Sequence, residues 1–449
     1  MTKKTSSAAT SAQHITVINM GCSKNLVDSE RLAGQLEALG FKVDFDREPP
    51  RGSVVVVNTC GFIGDAKEES VLVLLKLAEQ RRRRRIRGLY AMGCLTERYR
   101  DELREEIPEL DGIYGKFDWT GIVEAIRDKG NHAATEKLPE CGRKLSTPPY
   151  QAYIKISEGC NRFCAYCAIP LITGRIHSRT IDDIEAEVKA LVADGVREFN
   201  IICQDLSSYG RDLPGASAEP LAELLERLAV IPGVEMIRLH YAYPADFPYG
   251  ILPVMARHDN ICKYLDIALQ HIDDEVLTAM RRHIDAAGTR ELLARIRREV
   301  PGIHLRTTMM VGFPGETDEA FRNLLDFVQE ARFERLGAFT YSEEEGTYAA
   351  QHLPDTIPAE VKQERLEELL ALQDEIAAEI QQQEVGRTLR VIIDAKAEDG
   401  HYFGRTEFDS PDVDYIVNVS SSETLQPGDI RQVLITGCAA YGLDGVTVS

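Results

Sequence analysis

The sequence predicts an α/β multidomain protein: a Rossmann-like parallel α/β domain, a partial (β/α)6 barrel, and a small C-terminal β-barrel. Three observations carry this. Two long stretches alternate short apolar strands with amphipathic helices, the pattern of parallel sheets. After Val385 the pattern changes to short alternating strands punctuated by glycine. The length, 449 residues, suits about three domains, each able to bury its own core.

Composition narrows the function. The chain holds 52 basic and 72 acidic residues, a net charge of −20, which disfavours bulk adhesion to nucleic acid and favours a basic partner. No run approaches the ~18 apolar residues of a membrane span. Residues 1–13 are polar and read as a disordered tail, not a secretory signal. Ten cysteines without a signal segment point to a reducing cytoplasm and to metal chemistry instead of disulfides.

In the N-terminal domain, expected over 14–130, His14 to Met20 is strand-like and ends at Gly21-Cys22-Ser23-Lys24-Asn25 before a helical run to Leu39. Ser53 to Asn58, with four consecutive valines, ends at Thr59-Cys60-Gly61-Phe62. Arg87 to Met92 ends at Gly93-Cys94-Leu95-Thr96. Each cysteine thus falls where a strand's carboxyl end meets a helix N-terminus, the edge at which open parallel sheets bind ligands and at which the helix dipole favours thiolate. Cys22, Cys60 and Cys94 make a candidate three-thiolate site; the alternative is three buried small residues. Arg81 to Arg85, with Arg87, form a basic cluster that is either a solvated helix end or a contact for RNA. Residues 131–149 read as a linker, and its Cys141 is not expected to be a ligand.

The central domain, expected over 150–357, opens with Ala152 to Ile156 and then Cys160-Asn161-Arg162-Phe163-Cys164-Ala165-Tyr166-Cys167. Three thiolates spaced CxxxCxxC suit an iron–sulfur cluster or zinc. A structural zinc takes four ligands, and no fourth ligand follows at ligand spacing. Strands at Glu198–Cys203, Met236–His240, Lys263–Leu269, His304–Val311 and Leu336–Tyr341 alternate with helices, giving six β/α units. Barrel sites lie at the carboxyl ends of strands. That rule selects Gln204, Asp205 and the turn Gly312 to Thr317 with its Gly315, and below them His240 to Pro244 and Gln270-His271. Arg175 and Arg179 are candidates to face a carboxylate. Cys203 and Cys262 read as core.

The CxxxCxxC motif, with aromatic Tyr166 before its last cysteine, resembles the radical S-adenosylmethionine superfamily. The resemblance implies a 4Fe-4S cluster on Cys160, Cys164 and Cys167 whose open iron takes S-adenosylmethionine. Tyr166, Gln204, Asp205, Gly312, Gly315 and Arg175 are then expected at that cofactor. The layout of Cys22, Cys60 and Cys94 is similar to the methylthiotransferase N-terminal domain, which implies a second 4Fe-4S cluster. Gly21 to Asn25 and Asn58-Thr59-Cys60-Gly61-Phe62-Ile63 resemble the branch that modifies a ribosomal protein.

Ala359 to Gln383 reads as a charged connecting helix within 358–384. Residues 385–449 resemble a TRAM domain, a fold that often binds RNA through a basic stripe. Here five basic residues, Arg387, Arg390, Lys396, Arg405 and Arg431, face ten acidic ones, a surface suited to a basic protein. The resemblance covers nearly the whole chain. It implies an enzyme that adds a methylthio group to the β-carbon of an aspartate in a small-subunit ribosomal protein. A sulfur donor and an electron donor such as flavodoxin or ferredoxin are implied partners; no membrane is, and direct RNA contact stays open but is not favoured by charge. The alternatives are a tRNA adenosine methylthiotransferase and a non-catalytic, zinc-containing RNA- or ribosome-binding factor.

Overall fold

The computed structural model describes residues 13–116, 118–129, 142–398, 400–439 and 442–448, and the chain forms two compact units, Met1–Ser146 and Thr147–Ser449. Residues 1–12 of the expected tail, residues 131–141 of the expected linker, and Cys141 within it lie outside the described residues.

The first unit is a parallel sheet of five strands, β1 (His14–Asn19), β2 (Lys42–Phe45), β3 (Val54–Thr59), β4 (Gly88–Gly93) and β5 (Gly112–Ile113), in the order β2-β1-β3-β4-β5. Helices α1 (Ser23–Ala38), α2 (Gly64–Arg82), α3 (Cys94–Arg98), α4 (Arg100–Glu106) and α5 (Trp119–Lys129) accompany it. The four valines of β3 show why this sheet is covered on both sides. Val54 and Val56 pack with Leu32, Leu36, Ile122 and Ile126, whereas Val55 and Val57 pack with Leu74, Leu77, Leu95 and Leu103. Side chains alternate across a strand, so a continuous apolar run needs a helix layer on each face. The strand order reverses between β1 and β3, a topological switch point where doubly wound sheets bind ligands. Residues 142–146 of the expected linker belong to this unit: Lys144 N donates to Glu30 O at 3.1 Å and Ser146 N to Glu30 Oε1 at 2.8 Å.

The second unit opens with β6 (Gln151–Lys155), then the short antiparallel pair β7 (Ser157–Glu158) and β8 (His177–Ser178). Strands β9 (Glu198–Ile202), β10 (Met236–Ala242), β11 (Ile261–Gln270), β12 (His304–Val311) and β13 (Arg335–Thr340) continue a six-stranded parallel sheet in sequential order from β6 to β13. The two ends of the sheet do not pair, so the barrel is open. Its helices are α6 (Ile169–Thr173), α7 (Ile181–Ala193), α8 (Pro220–Ala229), α9 (Ile251–Arg257), α10 (Asp274–Ala279), α11 (Ala286–Glu299), α12 (Asp318–Ala331) and α13 (Tyr348–His352). Thr180, Asp285 and Thr317 start α7, α11 and α12 by accepting from backbone N–H groups of the first turn, the usual remedy for unpaired helix donors.

The expected connecting helix, α14 (Ala359–Glu384), is part of the barrel wall. Gln373 Nε2 donates to Phe333 O at 2.9 Å, and Arg365 reaches Glu316 Oε1 at 2.8 Å. The last strands, β14 (Thr388–Lys396), β15 (Tyr402–Thr406), β16 (Ile416–Ser420), β17 (Ile430–Ala439) and β18 (Gly442–Thr447), close into a barrel in the order β14-β15-β16-β18-β17.

This small barrel docks on the amino-terminal ends of the larger barrel's strands. Glu198, the first residue of β9, pairs with Arg405 at 2.8 Å and with Arg238, all three buried. Arg405 also pairs with Asp394 at 2.8 Å. Arg335 donates to Asp409 at 3.2 Å, Arg306 to Asp414 at 3.3 Å, and the His304 ring stacks on Phe408 at 3.8 Å.

Candidate functional site

The loop after β6 carries Cys160, Cys164 and Cys167, and its shape is fixed from several sides. Gly159 has φ of 86°, and a Cβ there would run into the carbonyl of Arg175, so only glycine lets the loop pass that close. Cys160 N donates to Gly174 O at 3.2 Å, Ala165 N to Met280 O at 3.0 Å, and Ala349 N to Ala165 O at 2.7 Å. The sulfurs receive donors as well: Arg162 N points at Cys160 Sγ at 3.4 Å, and Arg282 Nη1 at Cys164 Sγ at 3.3 Å. As free thiols, burial pushes Cys160 up to about 12 and Cys167 further, and each lies close enough to Cys164 to be raised by its charge. Thiols that burial and mutual repulsion hold protonated are the kind that a cationic cluster converts to thiolate.

Expected partners surround the loop. Tyr166 meets Phe313 edge-on at 6.4 Å, which joins the cysteine loop to the turn after β12. In that turn Gly312, at φ 72°, donates to Glu316 Oε2 at 2.8 Å, Gly315 is at φ 91°, and Glu316 is braced by Arg365. Gln204 Nε2 donates to Glu158, while its buried Oε1 has no partner among the described residues. Asp205 is fully engaged: Arg162 Nε donates to Oδ2 at 2.6 Å, Ser208 Oγ also donates to Oδ2, and Ser207 N donates to Oδ1 at 2.9 Å. It therefore orients Arg162 behind Cys160. Arg175 is exposed and lies 6.0 Å from the Phe163 ring. Arg179 pairs with Asp183 and Glu187 at 2.6 Å each and donates to Lys155 O, so it braces α7 against β6. His240 bonds Asn200 at 3.2 Å in the core, and His271 Nε2 lies 3.5 Å from Glu316 Oε2. Cys203 and Cys262 are buried, as expected.

Non-glycine residues with left-handed backbone include Tyr241 and Gln270 at the carboxyl ends of β10 and β11, Phe163 in the cysteine loop, and Arg281 and His283 between α10 and α11. Such conformations cost of order 1–3 kcal/mol each and cluster at functional sites.

In the first unit Cys22, Cys60 and Cys94 also feel one another's charge. Gly61 and Gly93 make the approach possible. A Cβ on Gly61 would sit 2.6 Å from Leu95 N and 2.8 Å from Cys94 C, and one on Gly93 2.8 Å from Thr59 N. The loops bearing Cys60 and Cys94 therefore touch backbone to backbone. Cys22 caps α1 and Cys94 begins α3, as the sequence predicts. Cys60 differs: α2 starts four residues later, at Gly64, and the N–H groups of Phe62 and Gly61 serve the sulfur instead.

Asn25 and Lys116 complete this site. Asn25 Nδ2 donates to Thr59 O at 3.1 Å, and its Oδ1 accepts from Cys94 Sγ at 3.6 Å and Lys116 Nζ at 3.3 Å. Lys116 Nζ also lies 3.9 Å from Cys94 Sγ. Burial raises the Cys94 thiol to about 11, partly offset by Lys116. Cys22 is exposed at its surface; the protein crowded around it acts to raise its thiol, yet Lys24, Lys116 and the N–H groups of Asn25 and Lys24 outweigh this and the thiol is lowered.

Among the described residues, no three Cys, His, Asp or Glu side chains converge on a single ion. The donor set, three sulfurs with N–H groups aimed at them, fits an iron–sulfur cluster in each unit.

The basic cluster at the end of α2 is largely ion-paired. Arg81 forks onto Asp111 at 2.8 and 3.1 Å, Arg82 reaches Glu109 at 2.9 Å, and Arg83 reaches Glu79 at 2.6 Å. The five basic side chains of the C-terminal barrel are engaged too: Arg405 with Glu198, Arg387 with Glu384, Arg431 with Asp429, Arg390 with the carbonyl of Glu235, and Lys396 over the Tyr402 ring. No helix among the described residues is long and apolar enough to cross a membrane.

Comparison with known proteins agrees with this architecture. Residues 14–115 match uncharacterized protein family UPF0004, residues 154–328 the radical SAM superfamily, and residues 385–448 the TRAM domain. The chain is 54% identical over 430 residues to the ribosomal protein uS12 methylthiotransferase RimO of Phocaeicola vulgatus, covering 96% of this chain and 98% of the relative. It is 54% identical to the protein of the same name from Parabacteroides distasonis, with the same coverage, and 45% identical to that of Christiangramia forsetii, covering 96% and 93%. Among solved structures, the radical S-adenosylmethionine methyltransferase TsrM of Kitasatospora setae, with cobalamin and a 4Fe-4S cluster bound, shares the fold. Its TM-score is 0.53 at 16% identity, over 84% of this chain and 79% of TsrM. With near-complete coverage of relatives at this identity, two cysteine trios and the matching three-part fold, the chain belongs to the ribosomal protein uS12 methylthiotransferase RimO family.

Proposed function

We propose that the protein is a cytoplasmic radical S-adenosylmethionine methylthiotransferase that adds a methylthio group to the β-carbon of an aspartate in ribosomal protein uS12. The observation that carries this is the pair of separate three-cysteine sites in a chain 54% identical over 96% of its length to proteins of that name. An unactivated C–H bond offers neither an acidic proton nor an electrophile, so side-chain acid–base chemistry does not suffice and cofactors must carry the hard step. When bound at Cys160, Cys164 and Cys167, a 4Fe-4S cluster supplies the electron that opens S-adenosylmethionine to a radical, and a second cluster on Cys22, Cys60 and Cys94 serves sulfur delivery.

The chain's own residues position and exclude. Arg162, anchored by Asp205 and Asp246, holds the Cys160 side of the loop. Tyr166, Gln204, Gly312, Gly315 and Arg175 form the wall that receives the cosubstrate. The Gln204 Oε1, buried without a partner among the described residues, accepts from its amino or hydroxyl groups. Asp205 acts on that wall through Arg162. The open edge of the barrel admits a protein side chain. A flavodoxin- or ferredoxin-type electron donor and a sulfur donor complete the reaction.

The test is anaerobic reconstitution followed by incubation with S-adenosylmethionine, reductant and sulfide, with uS12 and tRNA supplied in parallel. Mass spectrometry is expected to find one methylthio group on a uS12 aspartate. The same label on tRNA nucleosides alone would reassign the substrate, and zinc in place of iron would remove the enzyme reading.

A further inference from the structure

Arg282 is a buried guanidinium with no carboxylate partner among the described residues. Its Nη1 donates to Cys164 Sγ and to Tyr166 Oη, each at 3.3 Å, and Nη2 donates to the carbonyl of Ala268. Its Nε is buried without an acceptor among the described residues. The face of the guanidinium lies 4.1 Å from the centre of the Tyr243 ring, and Tyr243 Oη donates to the Arg282 carbonyl at 2.8 Å. Arg281 and His283, on either side, are both left-handed, at φ 58° and 56°, so the backbone is held in an unfavourable form that aims this one side chain.

Arg162 provides the contrast. It lies 4.3 Å from the same Tyr243 ring, yet Asp205 and Asp246 neutralise it at 2.6 and 2.8 Å. One guanidinium at this ring is compensated and the other is not. Burying an unpaired charge costs several kcal/mol, so the fold keeps Arg282 only if an anion is provided at this spot. The acids set against it, tyrosines apart, are thiols of the cysteine loop: Cys164, whose sulfur it touches, and Cys167, which feels its charge.

We propose that Arg282 is a positioning residue that supplies the counter-charge of the cluster on Cys160, Cys164 and Cys167 and favours its one-electron-reduced state. The inference rests on the reading of those three cysteines as ligands. Reduction adds one negative charge to the cluster; a fixed cation and an N–H···S bond at a ligand sulfur stabilise that charge and raise the potential. Tyr166 and Tyr243 serve as neutral props that keep the guanidinium in place.

The test uses the full-length chain with Cys22→Ala, Cys60→Ala and Cys94→Ala, so that one cluster carries the signal. Dithionite supplies the electron, and electron paramagnetic resonance reads the reduced-to-oxidised ratio at a fixed poise. Arg282→Gln is expected to lower that ratio at least tenfold, equivalent to 59 mV for one electron, while Arg282→Lys, which keeps the charge, stays within about threefold of the parent. If Arg282→Gln takes up no iron while Arg282→Lys is loaded with a near-parental ratio, the requirement for charge stands. Equal ratios in the parent and Arg282→Gln, or Lys and Gln variants shifted alike or both without iron, would overturn the proposal. A parent without a four-iron cluster would instead overturn the ligand assignment beneath it.

Discussion

The ion network under the barrel gives a prediction with a magnitude. Glu198 has no exposed surface and faces two guanidinium groups, Arg238 and Arg405. Burial alone would raise its carboxyl, but Arg405 and then Arg238 outweigh that and hold it near about 2 against an ordinary 4.5. This difference corresponds to about 3 kcal/mol of stability at neutral pH. An independent route agrees: breaking a buried pair by removing one partner costs about 3–5 kcal/mol. The lower end applies here, because Arg405 keeps Asp394 and Arg238 keeps Asn200 at 3.1 Å. Glu198→Gln, which preserves volume and removes charge, should therefore cost about 3 kcal/mol. The folded-state value is depressed, so the contribution is complete above about pH 4.5 and fades as the pH falls toward 2. Urea denaturation followed by circular dichroism measures the loss, and hydrogen exchange should show it in β9, β14 and β15. Asp394→Asn, at the partly exposed end of the network, should cost about 1 kcal/mol or less. A Glu198→Gln loss below that of Asp394→Asn would refute the reasoning.

Two further outcomes follow from the structure. His304, buried against Phe408, is lowered by desolvation from 6.5 to about 4, so the unfolded chain takes up its proton first. Stability should be complete above pH 6.5 and lower by about 2 kcal/mol at pH 5, a slope that His304→Phe flattens when denaturation midpoints are compared at the two pH values. Gly61→Ala places a methyl against the backbone of Leu95 and Cys94, where no rotamer change can relieve it. The overpacking should cost about 1–3 kcal/mol and halve the iron bound per chain, with the loss confined to the N-terminal site.

What the sequence revealed was what local pattern encodes. The valine run of β3, the helices from Ile181, Ile251 and Asp318, and the glycine-punctuated end all carry their periodicity within a few residues, and both cysteine trios are announced by spacing or by repeated position. Strands β2 and β5 escaped because four and two residues are too short to display a period. Arg282 and Lys116 escaped for another reason. Each reaches its sulfur across a long chain separation, 118 residues from Cys164 and 22 from Cys94, and a lone cation has no neighbouring pattern that marks it. Asp205 was visible at a strand end, but only packing shows that both its oxygens are already spent on Arg162, Ser207 and Ser208.

The C-terminal barrel grips the first residues of β9, β12 and β13, whereas the cysteine loop leaves the far end of β6. Strands of the length of β12, eight residues, put about 25 Å between those two ends. The small barrel and the cysteine loop therefore sit at opposite ends of the strands, so the ion pairs that fasten the one lie a full strand length from the sulfurs of the other.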